Sequence, residues 1–232
     1  MRFLTSLICF LLIITTLQAQ TDNCRPLLPM AVGTEWEITH YNAKGKAEGS
    51  MTLQLQDVKE EGDASVYTIF FKAYDKRNEE IYEHTYEARC SEGEFSVDMD
   101  YFMNGEMMEA FGEMDVSVEG TDLKMPDFST PAGTTLPDGE MNINVDTGTA
   151  FNINMTTRIT DRKVSAHESI TTPAGTFDCM VVEQKMEVKA IVKTETSSKE
   201  WFAPEVGMVR SESYNRKGKL ESYSELTKIT YP

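Results

Sequence analysis

Residues Thr34–Val58 read TEWEITHYNAKGKAEGSMTLQLQDV. Two runs that alternate apolar and polar residues flank a polar, glycine-bearing pentapeptide. Trp36 and Ile38 fall on one face, with Glu35 and Glu37 on the other. Met51, Leu53 and Leu55 likewise oppose Thr52, Gln54 and Gln56. A period of two is that of a half-buried strand, because successive side chains point to opposite faces. Asn42–Lys46, NAKGK, supplies the turn. The stretch reads as a β-hairpin.

The rest of the chain continues in this manner. SVYTIFFKAY (65–74) is apolar on both faces and reads as a central strand. EIYEHTYEA (80–88) lines up Tyr82, His84 and Tyr86, and EFSVDMD (94–100) alternates again. MNINVD (141–146) and FNINMTTRIT (151–160) flank Asp146-Thr147-Gly148, a turn that needs a residue tolerant of positive φ. Further strands are expected at Phe177–Val192, Glu195–Ala203, Met208–Asn215 and Leu220–Tyr231, the last two joined by NRKGK (215–219). The frames YNAKGKAEGSMTL and YNRKGKLESYSEL match. They are either a faint internal repeat or two hairpins with the same turn chemistry.

The fold class expected is all-β: an antiparallel meander of about ten to twelve strands, since a sheet that long curls, splits or closes on itself. A strongly curved sheet or barrel is the first reading, and a two-sheet β-sandwich the alternative. One segment departs from the period. Asp98–Asp115, DMDYFMNGEMMEAFGEMD, places Met103, Met107 and Phe111 at helical spacing, while Gly105 and Gly112 weaken a helix. A short helical or irregular insertion near 99–114 is expected.

Arg2 followed by the apolar run Phe3–Leu17 and a small-residue exit has the form of a secretory signal peptide. Cleavage between Ala19 and Gln20 leaves 20–232 as a single β-rich domain. The apolar run falls short of the roughly 20 residues of a spanning helix, so no membrane span is expected after cleavage. Cys24 lacks the small-residue pair that lipidation requires. The net charge is −16, and one unit more negative without Arg2. Such a chain repels phosphate backbones and anionic membrane surfaces, which argues against nucleic acid as a partner. The expected location is the periplasm or cell envelope.

Disulfides persist in such a compartment. Three cysteines outlast the signal, so at most one intramolecular bridge forms. Cys24–Cys90 is the expected pair, worth on the order of 4 kcal/mol in the chain-entropy model, and Cys179 is then a buried, inert thiol.

Residues that bear chemistry are scattered. Thioethers at i, i+4 suit Cu(I), an apolar ligand surface or an irregular core; no histidine stands in the Met cluster, and no metal site is expected. His40, His84 and His167 share no motif, and no nucleophile elbow is present. VDTGT lacks the glutamate of a calcium loop, and phosphate-cradling glycine motifs are missing. Asn154 opens a glycosylation acceptor, NMT, by letter. No catalytic constellation and no cofactor are expected. The candidate ligand-facing residues are Met103, Met107, Phe111 and Trp201.

TPAGT occurs twice, at Thr130–Thr134 and Thr172–Thr176. Pro fixes one φ and extends the residue before it, and Gly frees the next turn position. Each copy therefore reads as the lead into a strand, the first stopped early by LPDG. Downstream, KEWFAPEVGMVRSESY (199–214) reads as a tight hairpin beside a large aromatic, with Arg210 on the face of Met208. TPAGTF at Thr172–Phe177 and WFAPEVGMV at Trp201–Val209 together resemble the bacterial domain of unknown function 3108 (TapB-like) family. The resemblance is specific over roughly the last 70 residues. It implies an exported, β-rich envelope protein without assigned activity, and no catalytic residues to carry over. Curved-sheet lipoprotein carriers are a looser analogy, of architecture alone. The function expected is a non-catalytic binding protein for a small apolar or lipid-like ligand; the alternative is a structural or protein-interaction module of the envelope.

Overall fold

A computed structural model of the protein describes residues 27–91, 94–97, 115–121, 123–148, 152–190 and 192–232. Thirteen strands follow one another: β1 (Glu35–Asn42), β2 (Ala47–Glu61), β3 (Ala64–Asp75), β4 (Glu80–Ser91), β5 (Glu94–Val97), β6 (Asp115–Gly120), β7 (Leu123–Met125), β8 (Gly139–Asp146), β9 (Ile153–Thr172), β10 (Gly175–Lys189), β11 (Lys193–Ala203), β12 (Gly207–Asn215) and β13 (Leu220–Thr230). All belong to one antiparallel sheet, ordered β6-β8-β9-β10-β11-β12-β13-β1-β2-β3-β4-β5-β7. The protein is thus all-β, with a single curved sheet rather than a sandwich. The short strands β6 and β7 raise the count above the ten to twelve expected. The Met-rich segment, with its expected insertion near 99–114, lies outside the described residues.

The alternation read from sequence is the alternation of burial. Met141, Ile143 and Val145 of β8 are buried while the asparagines between them are exposed. In β3, Val66, Tyr67, Ile69 and Phe71 are buried, as suits a strand with neighbours on both sides. β1 pairs with β13 as well as β2, so the two ends of the sequence meet in mid-sheet.

The sheet's edges are β6 and β7, which only Thr121 and Asp122 separate in sequence. Thirteen strands laid flat are about 60 Å wide. Three peptide steps from Gly120 to Leu123 span at most about 11 Å. The sheet must therefore curl until its edges nearly meet. Among the described residues no ladder joins β6 to β7, so the curled sheet stays open along a seam. Side chains cross it: Leu123 packs with Met141, Ile143, Val145 and Ile159 on β8 and β9.

Three hairpin tips share one construction. In 42–46, 75–79 and 215–219, the first residue's side-chain oxygen accepts from the N–H groups two and four positions on. Its N–H donates to the fifth residue's carbonyl, and its carbonyl accepts from the fourth residue's N–H. The fourth residue has positive φ: Gly45 (77°), Asn78 (64°), Gly218 (71°). The middle copy, DKRNE, shares few letters with NAKGK or NRKGK. The likeness between those two is therefore turn chemistry, since Asn and Asp make such local bonds readily.

The two TPAGT copies diverge. The second is the β9–β10 turn: Thr172 pairs with Gly175 around Pro173-Ala174, and β10 begins at Gly175, two residues before Phe177. The first launches no strand. It runs beside β9, where Gly133 N donates to Val164 O (2.7 Å), Val164 N to Thr134 O (2.9 Å) and Leu136 N to Arg162 O (2.8 Å).

Candidate functional site

Curling a sheet with one apolar face encloses that face, and here a cavity of about 200 Å3 is left inside. One wall is Trp36, Ile38, Leu53, Tyr86 and Ala88, from β1, β2 and β4. Leu27 and Leu28, ahead of β1, also line it. Gly207 is what lets this segment approach. Its φ is 98°, and a Cβ there would stand 3.0 Å from Leu27 O. Facing wall residues include Met186, Glu200, Phe202 and Met208. Glu200 is the only carboxylate among the described lining residues, and none of them is a cation.

Glu200, half-buried, is the outer member of a polar chain whose other side chains, Gln184 and Arg162, are buried. Its Oε1 accepts from Ser198 Oγ (3.0 Å) and from Gln184 Nε2 (3.1 Å). Gln184 Oε1 in turn accepts from Arg162 Nε (3.2 Å). Arg162 is 1 % exposed. It donates further to Pro137 O (2.7 Å) and, across the seam, to Lys124 O on β7 (3.0 Å). Burial pushes the Glu200 carboxyl above the usual carboxylate range, against the pull of its hydrogen bonds and of the Arg162 charge. Burial also pulls Arg162 below its ordinary value, and the charges of Glu200 and Asp138 oppose this. A buried cation without a directly bonded carboxylate is costly; here one glutamine connects it to its counter-charge.

A bulge aims Arg162 inward. Thr160 pairs with Lys185 and Lys163 with Glu183, so Asp161 and Arg162 together face Gln184. Asp161 takes φ 53°, an uncommon conformation for a non-glycine residue. Ile159 ahead of the bulge and Arg162 and Val164 beyond it are all buried, although strict alternation would not bring both parities inside.

Trp201 does not line the cavity; its sequence neighbours Glu200 and Phe202 do. Trp201 is 5 % exposed. Its Nε1 donates to Glu168 (2.7 Å), and Lys199 Nζ lies 4.6 Å from its ring centre. The register also corrects the face expected for Arg210. Trp201 faces Arg210 and Phe202 faces Met208, with Val209 the extra residue between. Met208 therefore points to the cavity, and Arg210 lies on the opposite face with Trp201. Met103, Met107 and Phe111 lie outside the described residues, as do Cys24 and the Ala19–Gln20 junction.

The histidines stand on separate strands. His40 Nδ1 bonds Ser224 Oγ (2.7 Å), and burial lowers its pKa. His84 stacks with Tyr82, and His167 meets Thr130 O and the edge of Phe128. Cys179 is free and buried, and burial pushes its thiol up to about 12; it is not the thiolate that reacts or binds metal. Among the described residues no three His, Cys, Asp or Glu side chains converge as metal ligands, and no helix is long and apolar enough to cross a membrane.

Glu200 and Arg162 escaped the sequence reading. Glu200 stands beside a tryptophan in a polar strand, and Arg162 sits where alternation breaks. The break itself, Ile159-Thr-Asp-Arg-Lys-Val164, is the signal that a bulge lies there.

A family model described as DUF3108-like matches residues 31–226. The chain belongs to the DUF3108-like family. The match runs well beyond the two motifs and takes in β1 through most of β13. Among curated proteins, none matches this DUF3108-like chain. Two of the solved structures similar to it are these. One is a candidate exported protein of Bacteroides fragilis with a YmcC-like fold: 27% identity, TM-score 0.74, covering 88% of this chain and 98% of that one. The other is a candidate lipoprotein of Parabacteroides distasonis: 24% identity, TM-score 0.76, covering 89% and 99%. The second likeness is one of fold.

Proposed function

We propose that the protein is exported to the cell envelope and there holds a small apolar molecule, without transforming it. The cavity carries this reading. It is lined almost wholly by apolar side chains, with one carboxylate and one phenol among them, the arrangement by which small-molecule sites bind and orient. Its size limits the occupant. An apolar cavity of about 150 Å3 accommodates benzene, so about 200 Å3 suits a ring-sized or short branched molecule. A complete acyl chain would extend beyond it. Export is supported by the Arg2, Phe3–Leu17 and Ala19 pattern and by the description of the Bacteroides fragilis relative.

The test is a toluene titration of the methyl-labelled protein, purified without detergent, followed by NMR. Saturable shifts at Ile38, Leu53, Met186 and Met208, and none at Met30, are expected. Native mass spectrometry of the same sample reads any molecule carried through purification. Absence of methyl shifts at saturating toluene sinks the reading.

The Cys24–Cys90 bond belongs with it. Cys90 is buried. Leu27, three residues after Cys24, packs in the same core cluster as Cys90. A Cys24–Cys90 peptide is expected on mapping without reduction; Cys90 linked to Cys179 would overturn it.

A further inference from the structure

We propose that the cavity selects a neutral molecule bearing one hydrogen-bond donor, an alcohol or phenol of ring size, whose hydroxyl bonds Glu200 Oε2. This rests on the cavity reading above and specifies the ligand's head. Both hydrogen bonds that described residues give Glu200 land on Oε1, from Ser198 and Gln184. Among the described residues none donates to Oε2, and Glu200 lines the cavity. Oε2 and the Tyr86 phenol are the side-chain oxygens on the described lining that an occupant meets.

Charge balance decides what the donor carries. Arg162 and Glu200 are one cation and one anion linked through Gln184. A neutral donor leaves that balance intact. A carboxylate would add a second anion beside Glu200, and an ammonium would leave a net positive charge inside. Either costs heavily in an apolar interior. A ligand with no donor fills the volume and displaces water from Oε2 without replacing its hydrogen bond.

Four probes of similar size separate the possibilities on the folded protein at pH 7: toluene, p-cresol, benzylamine and benzoate, with dissociation constants from NMR titration. p-Cresol is expected to bind about tenfold tighter than toluene, the scale of one hydrogen bond to a charged group. Benzylamine and benzoate are expected to bind more weakly than toluene. The Glu200→Leu variant should keep toluene binding and lose the p-cresol advantage, with its circular dichroism spectrum reporting whether it folds; the four-probe series on the unaltered protein stands without it. Equal affinity for toluene and p-cresol overturns the assignment of Oε2 and leaves the cavity reading intact. Tighter binding of benzoate or benzylamine overturns the charge argument. Failure of all four to bind overturns this proposal and the cavity reading together.

Discussion

The two walls of the cavity are built on different principles. Ile38, Leu53, Tyr86 and Ala88 present only carbon to the interior, apart from one phenol. Across from them Glu200 is backed by Gln184 and Arg162. The apolar wall gains stability from every residue it buries, at roughly 25 cal/mol per Å2 of apolar surface, and it can discriminate by shape alone. The polar wall gains little on balance, because desolvating its charges offsets their attraction. What it adds is polarity at chosen points: a carboxylate on the cavity lining, and a guanidinium that bonds the carbonyl of an edge strand. The difference suggests that β1–β4 serve mainly to make an interior and β9–β11 to give it chemical character.

Substitutions sharpen or break that contrast. Arg162→Ala should have the largest effect. It removes donors from Pro137 O, Lys124 O and Gln184 and opens a void, so a loss of about 3–5 kcal/mol is expected in urea unfolding. A loss below 1 kcal/mol would break the claim that a side chain holds the seam. Leu53→Ala on the apolar wall should cost about 2–4 kcal/mol and enlarge the cavity, so that toluene binds with altered affinity. Gly207→Ala should cost about 1–3 kcal/mol, because φ 98° and the 3.0 Å approach of Leu27 O both exclude a Cβ; the thermal midpoint reads it.

The subtlest effect is a slope. Glu200 has a carboxyl pKa raised by burial, so the folded state holds that proton more tightly than the unfolded chain. Its ionisation then opposes folding. The penalty is absent below the unfolded value, about 4.3, and grows as pH rises through the folded value. Glu200→Gln removes the titration. The stability of the natural protein relative to this variant should therefore fall as pH rises above that point, in unfolding curves taken from pH 4 to 8. A difference that rises or stays flat would contradict the burial of this carboxylate.

How much of this was legible in the sequence follows from what each feature depends on. Most of the long strands depend on local alternation, and β1, β2, β4, β8 and β11 to β13 are where the period of two lies; β3 reads instead as a run apolar on both faces. β6 and β7, six and three residues long, are too short for a period to register, and their partners are chosen by the curl of the whole sheet. The cavity is likewise a property of curvature. Its polar wall depends on two bulges, at Asp161 and Val209, and each moves every following residue to the other face. Alternation counted straight through them assigned Arg210 to the wrong side, and left Arg162 unremarked. Trp201 drew attention for its size, while the adjoining Glu200 faces the interior.

The pairing of β1 with β13 has a consequence in time. Thr39 Oγ1 and Thr227 Oγ1 lie 3.0 Å apart across 188 residues of sequence. β1 can form its hairpin with β2 as soon as both exist, but its other edge must wait for the last strand to be made. Until then two partial sheets each carry an unpaired strand at the place where they will join. Contacts so distant in sequence are slow to form, so the chain spends its synthesis as an incomplete and unlocked sheet. Leu220–Thr230 is the piece whose arrival encloses the interior.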